Sequence, residues 1–564
     1  MGRNIEVKPR PMQGVEVAQY IRQIQGLMEQ DRLPYELGWR NYNRLFKPYQ
    51  YDLAHFDPNR KHWGDNIFDF DPQLVLRTFS VGFVGYTTPK NQDWLKLAIP
   101  NARAMYLDND IQEYLQNCAE QLSSAVSRSN FYEISIPAAE DVGVTGTAFI
   151  TPEYDWAKAK TLFRKEHPGD CFMQCDGFGR VQRIHRIVEM NVLEIVEFFE
   201  GKNIPDKVAD DYQAGGGRLL KKYKFIHAQY YNPSPRANSL RPEDKKIKSV
   251  YVPVDGPAEV TRDSGRDTMT IAWALTRQSR ETYGMGIAAL AWYAANINNT
   301  LSERMLRRAH LVVETPMFVP KEYKGKWRML PGKNLYYDKP ERKAEPLWTG
   351  GSWPVSAEER ERISDAMKEF FFYDFFRVLM AQENLKDVTA YAVSQLQGEK
   401  GIILGAYQDS QERGQLDPMI DVLWEDELRA GRMPEPPESL MALPDAEIRA
   451  EYEGQLAVLR RQLFQVRGIQ QGLQSLEPLA KFFPAQVAQK LDPYRVIEAT
   501  LDSAGMPQDL IRSDEEAQEL AMIEAKQQAA NQQLAMAAEA AKAVPNLSKP
   551  VEAGSPLETI MGQM

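Results

Sequence analysis

The chain of 564 residues is too long for one compact core, and ordinary domain size divides it into roughly three to four folding units. Its 43% hydrophobic and 26% charged residues read as globular rather than disordered, and no apolar run approaches the roughly 20 residues that span a bilayer. A net charge of -10 excludes a chain built as a whole to grip a polyanion, because tight nucleic-acid binding draws on clustered Lys and Arg that displace counterions from phosphates.

Residues 1 to about 125 are expected to be mainly helical, with amphipathic stretches such as VEVAQYIRQIQGLMEQD and DIQEYLQNCAEQLSSAVSRS. The start, MGRNIEVKPRP, lacks the apolar core of a signal peptide, so the expectation is a soluble protein made in a cytosol. Between about 130 and 275 the pattern changes. FYEISIP, GTAFITPEY, CFMQC, RVQRIHRIVEM, KKYKFIHAQYY and SVYVPV are short, aromatic or β-branched, and punctuated by Gly, Pro and Asp, which predicts strands. DGFG at 176–179 suits a hairpin turn. The fold class is therefore α+β, mostly helical.

From Ile287 to about Val313 runs one continuous helical pattern with Leu290, Ala294, Ile297, Leu301 and Met305 on one face. At 1.5 Å per residue it makes a rod of roughly 40 Å. Residues 316–355 carry Pro, Gly, Lys and aromatics with no helical period, and read as a compact loop or strand module. Ser356-Ala-Glu-Glu359 is a capping box that opens a second helix running to about Met380. After the polar break QENLKDV, a third long helix is expected from about Thr389 to Ala430, ended by Gly431 and by Pro434, Pro436 and Pro437. From Pro444 onward the chain reads as helix in pieces. It becomes Ala- and Gln-rich beyond the capping box of Ser513 and Glu516.

Gly284-x-Gly286-x-x-Ala289 matches the spacing of a dinucleotide-binding turn. No strand leads directly into it, and the position about twenty residues on falls in the same helix. The better reading is a helix start whose glycines admit a neighbouring backbone. GxxxxGK[ST], GxSxG and HExxH are all missing, which argues against an ATP-driven motor, a serine hydrolase and a zinc protease. His167, Cys171, Cys175 and His185 form a metal-like set, but the three cysteines do not show CxxC spacing, and a sheet-core role is preferred. No cofactor and no metal are expected. Basic residues gather at Arg304, Arg307 and Arg308, and in the module at Lys321, Lys324, Lys326, Arg328, Lys333, Lys339, Arg342 and Lys343.

The run YGMGIAALAWYAANINNTLSERMLRRAHLVVETPMFVP, with MLPGKNLYYDKPERKAEPLWTGG and DVTAYAVSQLQGEKGIILGAYQDSQERGQLDPMIDVLWEDELRAGRMPEPPE, resembles the head-to-tail connector (portal) proteins of short-tailed, T7-like bacteriophages. The resemblance extends over roughly residues 130–520 and weakens over the first hundred. One departure is Ala392, where the family often carries glutamate.

The resemblance implies a portal fold in a ring-shaped homo-oligomer, usually a dodecamer, set at a capsid vertex with DNA passing through its axial channel. It implies a wing over residues 1–280, a first stem helix over 281–315, a clip over 316–355 and a second stem helix over 356–381. A tunnel loop over 382–388, a long helix over 389–435, a crown over 436–530 and an Ala/Gln-rich tail over 531–564 complete it. Implied partners are non-specific double-stranded DNA, the terminase large subunit, a tail adaptor protein, scaffolding protein and the major capsid protein, with no membrane. In that frame Arg304, Arg307, Arg308, Gln382, Asn384 and Lys386 are candidates for the DNA channel. Lys324, Trp327, Arg328, Lys333, Tyr336, Tyr337, Arg342 and Trp348 are candidates for the terminase and adaptor interface. Ala288, Ala291, Ala294 and Ala295 are small enough to let subunits pack closely. Two alternatives stand beside this reading: a tail or adaptor ring without a packaging role, and a nucleotide-dependent DNA enzyme.

Overall fold

The computed structural model describes residues 14–50, 66–99, 109–236, 241–257, 259–313, 317–318, 345–346, 354–380, 403–441 and 447–454. These belong to a unit spanning Met1–Arg460. The expected crown beyond 454, the Ala/Gln tail and the break at 382–388 lie outside the described residues.

The N-terminal helices form as expected: α1 (Gly14–Phe46), α2 (Asp71–Thr87) and α3 (Asn109–Arg128), with a short strand β1 (Leu95–Ala98) between the last two. FYEISIP departs from expectation, being the start of α4 (Phe131–Thr145) rather than a strand. Ile134, Ala138, Ala139, Val142 and Val144 are all buried, so this helix is apolar around nearly its whole circumference. Such a helix loses the 3.6-residue signal and imitates a buried strand.

Helix α4 ends in Gly146, whose φ of 80° is the left-handed cap conformation that Gly adopts without strain. The chain then enters β2 (Thr147–Asp155) and β3 (Lys160–Glu166). A five-stranded antiparallel meander follows from β4 (Cys171–Cys175), β5 (Val181–Asn191), β6 (Lys222–Tyr231), β7 (Ile247–Pro253) and β8 (Arg262–Arg266), in that spatial order. The short helices α5 (Val192–Phe198) and α6 (Asp206–Ala214) fill the connection between β5 and β6. DGFG does turn the β4–β5 hairpin: Asp176 accepts from the Phe178 and Arg180 amides at 2.9 and 2.8 Å, and Gly179 takes φ 80°. Strand β9 (Ile271–Ala274) returns to pair with β2, giving a second sheet ordered β3-β2-β9.

One large apolar core joins these parts, with Phe79, Phe83, Phe131, Trp273, Phe371, Phe375 and Phe376 among its fully buried members. Beside it lies a buried ionic centre. Asp141 of α4 is held between Lys47 at 2.6 Å and Lys165 at 2.5 Å. Burial alone would raise its carboxyl, yet the two lysines outweigh that and keep it below the usual range.

Helix α7 spans Ile287–Val313, as expected. A two-residue antiparallel ladder, β10 (Met317–Phe318) with β11 (Glu345–Pro346), closes the intervening module, and α8 (Pro354–Phe370) returns alongside α7. Helix α8 starts at Pro354, two residues before the expected capping serine. Proline suits a first helical turn, whose N–H groups are unbonded in any case. Nor does the helix run unbroken to Met380. Phe372, with φ 54°, separates it from α9 (Tyr373–Met380), and the bend sends Phe371, Phe372, Phe375 and Phe376 into the core together.

The third long helix is described from residue 403 and contains a π-turn at Glu412–Leu416 before α10 (Asp417–Arg429). Pro418 has no N–H and would crowd the carbonyl four residues back, so the preceding turn widens and Asp417 bonds to Glu412 instead. The extra residue also sets the phase. Gln408 and Gln411 face the core, where an unbroken α register would place Asp409 and Glu412. Gly414 lies against Trp273, with a Cβ there only 3.0 Å from the indole Cδ1.

Gly431 ends α10 as expected: Arg432 N–H bonds to Glu427 O and Gly431 N–H to Leu428 O, the paired closure of a left-handed glycine cap. After the short helix α11 (Glu438–Met441), the segment Arg449–Tyr452 is a strand, β12, where helix was expected. It pairs with β1 from more than 350 positions away in the chain, Leu95 opposite Tyr452, a long-range partner that local pattern cannot announce.

Candidate functional site

The site is the antiparallel hairpin of α7 and α8 together with the base that holds it. At the start of α7 three glycines bring two backbones into contact. A Cβ on Gly146 would sit 2.1 Å from Gly284 O, one on Gly284 2.2 Å from Gly146 O, and one on Gly286 2.5 Å from Val144 O. The contact is bonded as well as close: Leu275 N–H donates to Gly146 O at 3.0 Å, Met285 N–H to Thr276 O at 2.7 Å, and Gly284 N–H to Thr147 Oγ1 at 2.9 Å. The space a pyrophosphate would need is filled by the chain's own backbone. Gly284-x-Gly286 is a packing device, as the sequence suggested.

Tyr283 anchors the same point. It is buried edge-on to Tyr35 and Trp39, both at 5.1 Å between centroids, and its hydroxyl accepts from Met173 N–H at 3.2 Å. Higher up, Asn299 on α7 accepts from the Phe68 and Asp69 amides at 2.8 and 3.2 Å and donates to Asn66 O at 3.0 Å. From α8, Arg360 reaches Asp69 at 3.1 Å and Ser364 donates to Asp71 at 2.7 Å. Burial, reinforced by the Asp71 charge, raises the Asp69 carboxyl above its ordinary range despite Arg360. Residues 66–71 thus lash the two helices together. Sequence reasoning missed Asn299, Asp69 and Arg360; the one available signal was the pair Asn298-Asn299 following the largely apolar first half of the helix.

The hairpin's two sides differ. Ala288, Ala291 and Ala295 are fully buried within the chain's own core, so they do not offer a neighbouring copy the close approach expected of them; Ala294 is half-buried. Small side chains were needed here because α4 and α1 crowd the base of α7. Of the stripe read as an apolar face, Leu290 and Ile297 point away from the core, whereas Ala294 packs against it and Leu301 and Met305 are half-buried. Leu290 and Ile297 are each 47% exposed, and Tyr293 beside them is 71% exposed. Farther along the same face Arg304 is exposed and has no carboxylate partner among the described residues, Arg307 is exposed and bonded to Glu303 at 2.5 Å, and Arg308 is half-buried.

Gln382, Asn384 and Lys386, and the module residues Lys324, Trp327, Arg328, Lys333, Tyr336, Tyr337, Arg342 and Trp348, lie outside the described residues. The metal-like set is dispersed. His167 Nδ1 accepts from Gly169 N–H at 3.0 Å, and Cys171 sits in an apolar cluster with Trp39, Phe149 and Tyr283, its thiol pushed well up by burial. His185 lies opposite Phe172 in the register, on the sheet face away from Cys171, bonded through Nδ1 to Gln25 at 3.1 Å. Among the described residues no group of three or more His, Cys, Asp or Glu is arranged to hold a metal ion.

The site is thus a hairpin of paired helices rooted in an α+β body, with Leu290, Tyr293 and Ile297 of α7 left exposed. The model of the bacteriophage head-to-tail connecting protein family matches residues 18–511 of the chain. The chain belongs to the head-to-tail connector family. Among its relatives is the portal protein of Salmonella phage epsilon15, 24% identical over 545 residues that cover 93% of this chain and 94% of that protein. Another is the probable portal protein of Bordetella phage BPP-1, 24% identical over 499 residues and 84% of each. The match reaches into α1, beyond the region where the sequence alone suggested likeness. The connector family is structural rather than enzymatic, and its members are components of the virion. Among the described residues of this connector no helix is long and apolar enough to cross a membrane.

Proposed function

We propose that this connector is the portal of a short-tailed phage. It is a ring-shaped homo-oligomer, a dodecamer on the family pattern, set at one capsid vertex around a channel for double-stranded DNA. The observation that carries the reading is the α7–α8 hairpin closed by the β10–β11 ladder, two antiparallel rods rising from a strand-rich body. In portal terms α7 and α8 are the stem, residues 316–355 the clip, and the body below them the wing.

Physical economy favours the same assignment. DNA that slides both ways cannot be held tightly, because each neutralised phosphate adds affinity that must be undone at the next step. A net charge of -10 with a few cations near the end of α7 suits a conduit better than a grip. Arg304 and Lys386 are the residues we assign to weak contacts that centre the duplex. The lysines and aromatics of the clip dock first the terminase motor and later a tail adaptor.

A tail adaptor ring is the rival within the same class, and the two differ in timing. A portal is built into the empty procapsid before DNA arrives; an adaptor joins after filling. Quantitative mass spectrometry of DNA-free procapsids should find this chain at one ring per particle. Its absence there, with presence in filled heads, assigns it to the adaptor role instead. Purified chain should show no ATP turnover without an added motor, and turnover by the chain alone would bring back the nucleotide-dependent enzyme.

A further inference from the structure

We infer that the buried face of the five-stranded meander binds one small anion, of the size and charge of chloride, between Arg186 of β5 and His227 of β6, with Arg266 of β8 supplying the charge that it balances. The site is independent of the connector reading above and stands or falls apart from it.

Two observations lead there. The first is a pair of orphaned donors. Arg186 and His227 stand directly opposite each other in the β5–β6 ladder, so their side chains leave the same face of the sheet, about 5 Å apart at Cβ. Both are more than nine-tenths buried. Gln229 fixes the imidazole tautomer. Its Oε1 accepts from Thr270 N–H at 2.7 Å, which leaves its Nε2 hydrogens facing His227 Nε2 at 3.5 Å. Ser249 Oγ lies 2.8 Å from the same nitrogen. His227 Nε2 is thus the acceptor, and the one proton of the neutral ring sits on Nδ1. Neither that Nδ1–H nor the Nε–H of Arg186 has an acceptor among the described residues, although both atoms are sealed from solvent. A buried donor left unmade is costly, and two on neighbouring side chains call for one shared acceptor.

The second is an excess of positive charge. Arg164 pairs with Glu153 at 3.0 Å and with Glu166 at 2.9 Å, and Arg186 pairs with the same Glu166. Arg266 donates to Pro152 O and has no carboxylate partner among the described residues. Three guanidinium groups therefore face two carboxylates. Asp170 lies near Arg186 too, but Arg32 and Lys224 act on it as well, so it does not cancel the excess. All three arginine charges reach His227, where they add to burial in holding the ring neutral, and burial pulls Arg266 itself below its ordinary range. A buried cation without a counter-charge is the expensive case, and one bound anion answers both the excess and the two unmet donors. The spacing selects its class. Side chains on adjoining strands about 5 Å apart, in an interior at ordinary packing density, admit a single-atom anion and not a tetrahedral oxyanion or a phosphodiester.

Bromide, a heavier stand-in for chloride, tests the position without any variant. Full-length protein crystallised from sodium bromide should give an anomalous-scattering peak between Arg186 Nε and His227 Nδ1. Peaks at the surface alone, or none, overturn the site. A second arm follows the thermal midpoint of the full-length protein as sodium chloride replaces sodium gluconate at constant ionic strength. The midpoint should rise by about 2–4 °C and level off as the site fills. Arg266→Gln, whose amide still offers Pro152 O a donor, should flatten that rise. No rise, a rise that never saturates, or the same rise in Arg266→Gln would assign the effect to general salt action and contradict the proposal.

Discussion

The five-stranded meander and the α7–α8 hairpin solve opposite problems. Behind the meander many of the buried polar side chains are bonded within the same chain, although His185 Nε2 and His227 Nδ1 find no partner among the described residues. Gln229 accepts from the Thr270 amide at 2.7 Å, His227 bonds Ser249 at 2.8 Å and stacks on Tyr251 at 4.1 Å, and Arg164 pairs with Glu166 at 2.9 Å. The hairpin instead roots one side with equal care and leaves leucine, isoleucine and tyrosine in water on the other. The outward face of the hairpin is the surface that the portal reading assigns to assembly.

That contrast can be broken at four places, taken from the largest expected effect to the smallest. Gly286→Val puts a branched side chain into the Val144 and Gly143 carbonyls, which as backbone cannot move aside. The α7 base should lose about 3 kcal/mol or more, measured by denaturant unfolding, with little soluble protein surviving. A wild-type midpoint would mean the backbone contact is not tight. Asp141→Asn leaves Lys47 and Lys165 facing each other without the intervening charge, and should cost about 3 kcal/mol in the same assay. An unchanged midpoint would show the ionic centre to be hydrated.

The third is pH. Burial, with the Arg183 charge adding to it, pulls His185 down to about 3, and burial likewise drives His227 well below the ordinary range. The folded state therefore holds both rings neutral. Their contribution is complete above the unfolded value of about 6.5 and is lost as pH falls from there toward the folded value. Asp170, raised by burial to about 6, works the other way and stabilises the fold as pH falls from about 6 toward 4. His185→Gln removes one of the groups that favour higher pH, so its stability should fall less, or rise more, than that of the wild-type protein as pH drops from 6.5 to 4.5. A profile unaltered by His185→Gln would place the pH dependence elsewhere. The smallest change in fold stability sharpens the comparison most. Tyr293→Ser should move the midpoint of the isolated chain by less than about 0.5 kcal/mol, yet reduce ring yield.

How legible this was in the sequence follows the same division. Strands β2 and β4–β7 could be read because each is a short aromatic or β-branched run set off by Gly, Pro or Asp, and α7 because nothing interrupts its period between Ile287 and Val313. Helix α4 was hidden because it is buried all round, and β12 because its partner lies in β1. The π-turn was hidden because its cause is the conjunction of Pro418, Gly414 and the phase of Gln408 and Gln411. Within the site, the close approach at Gly284 and Gly286 was visible. The direction of the α7 stripe was not, since a periodic pattern locates an apolar face without saying whether its own chain or another copy covers it. The alanines fell into the same gap, being used by the core. Asn299 and Arg360 found their partner at Asp69, 230 and 291 positions away, where no local rule could pair them.

The decisive measurement is hydroxyl-radical footprinting of Tyr293 in the unassembled chain and in the assembled particle. Strong labelling before assembly and marked protection after it is the predicted result. Equal labelling in both would mean that the outward face of α7 stays in water, and that the unfinished side of the hairpin is not where the copies meet.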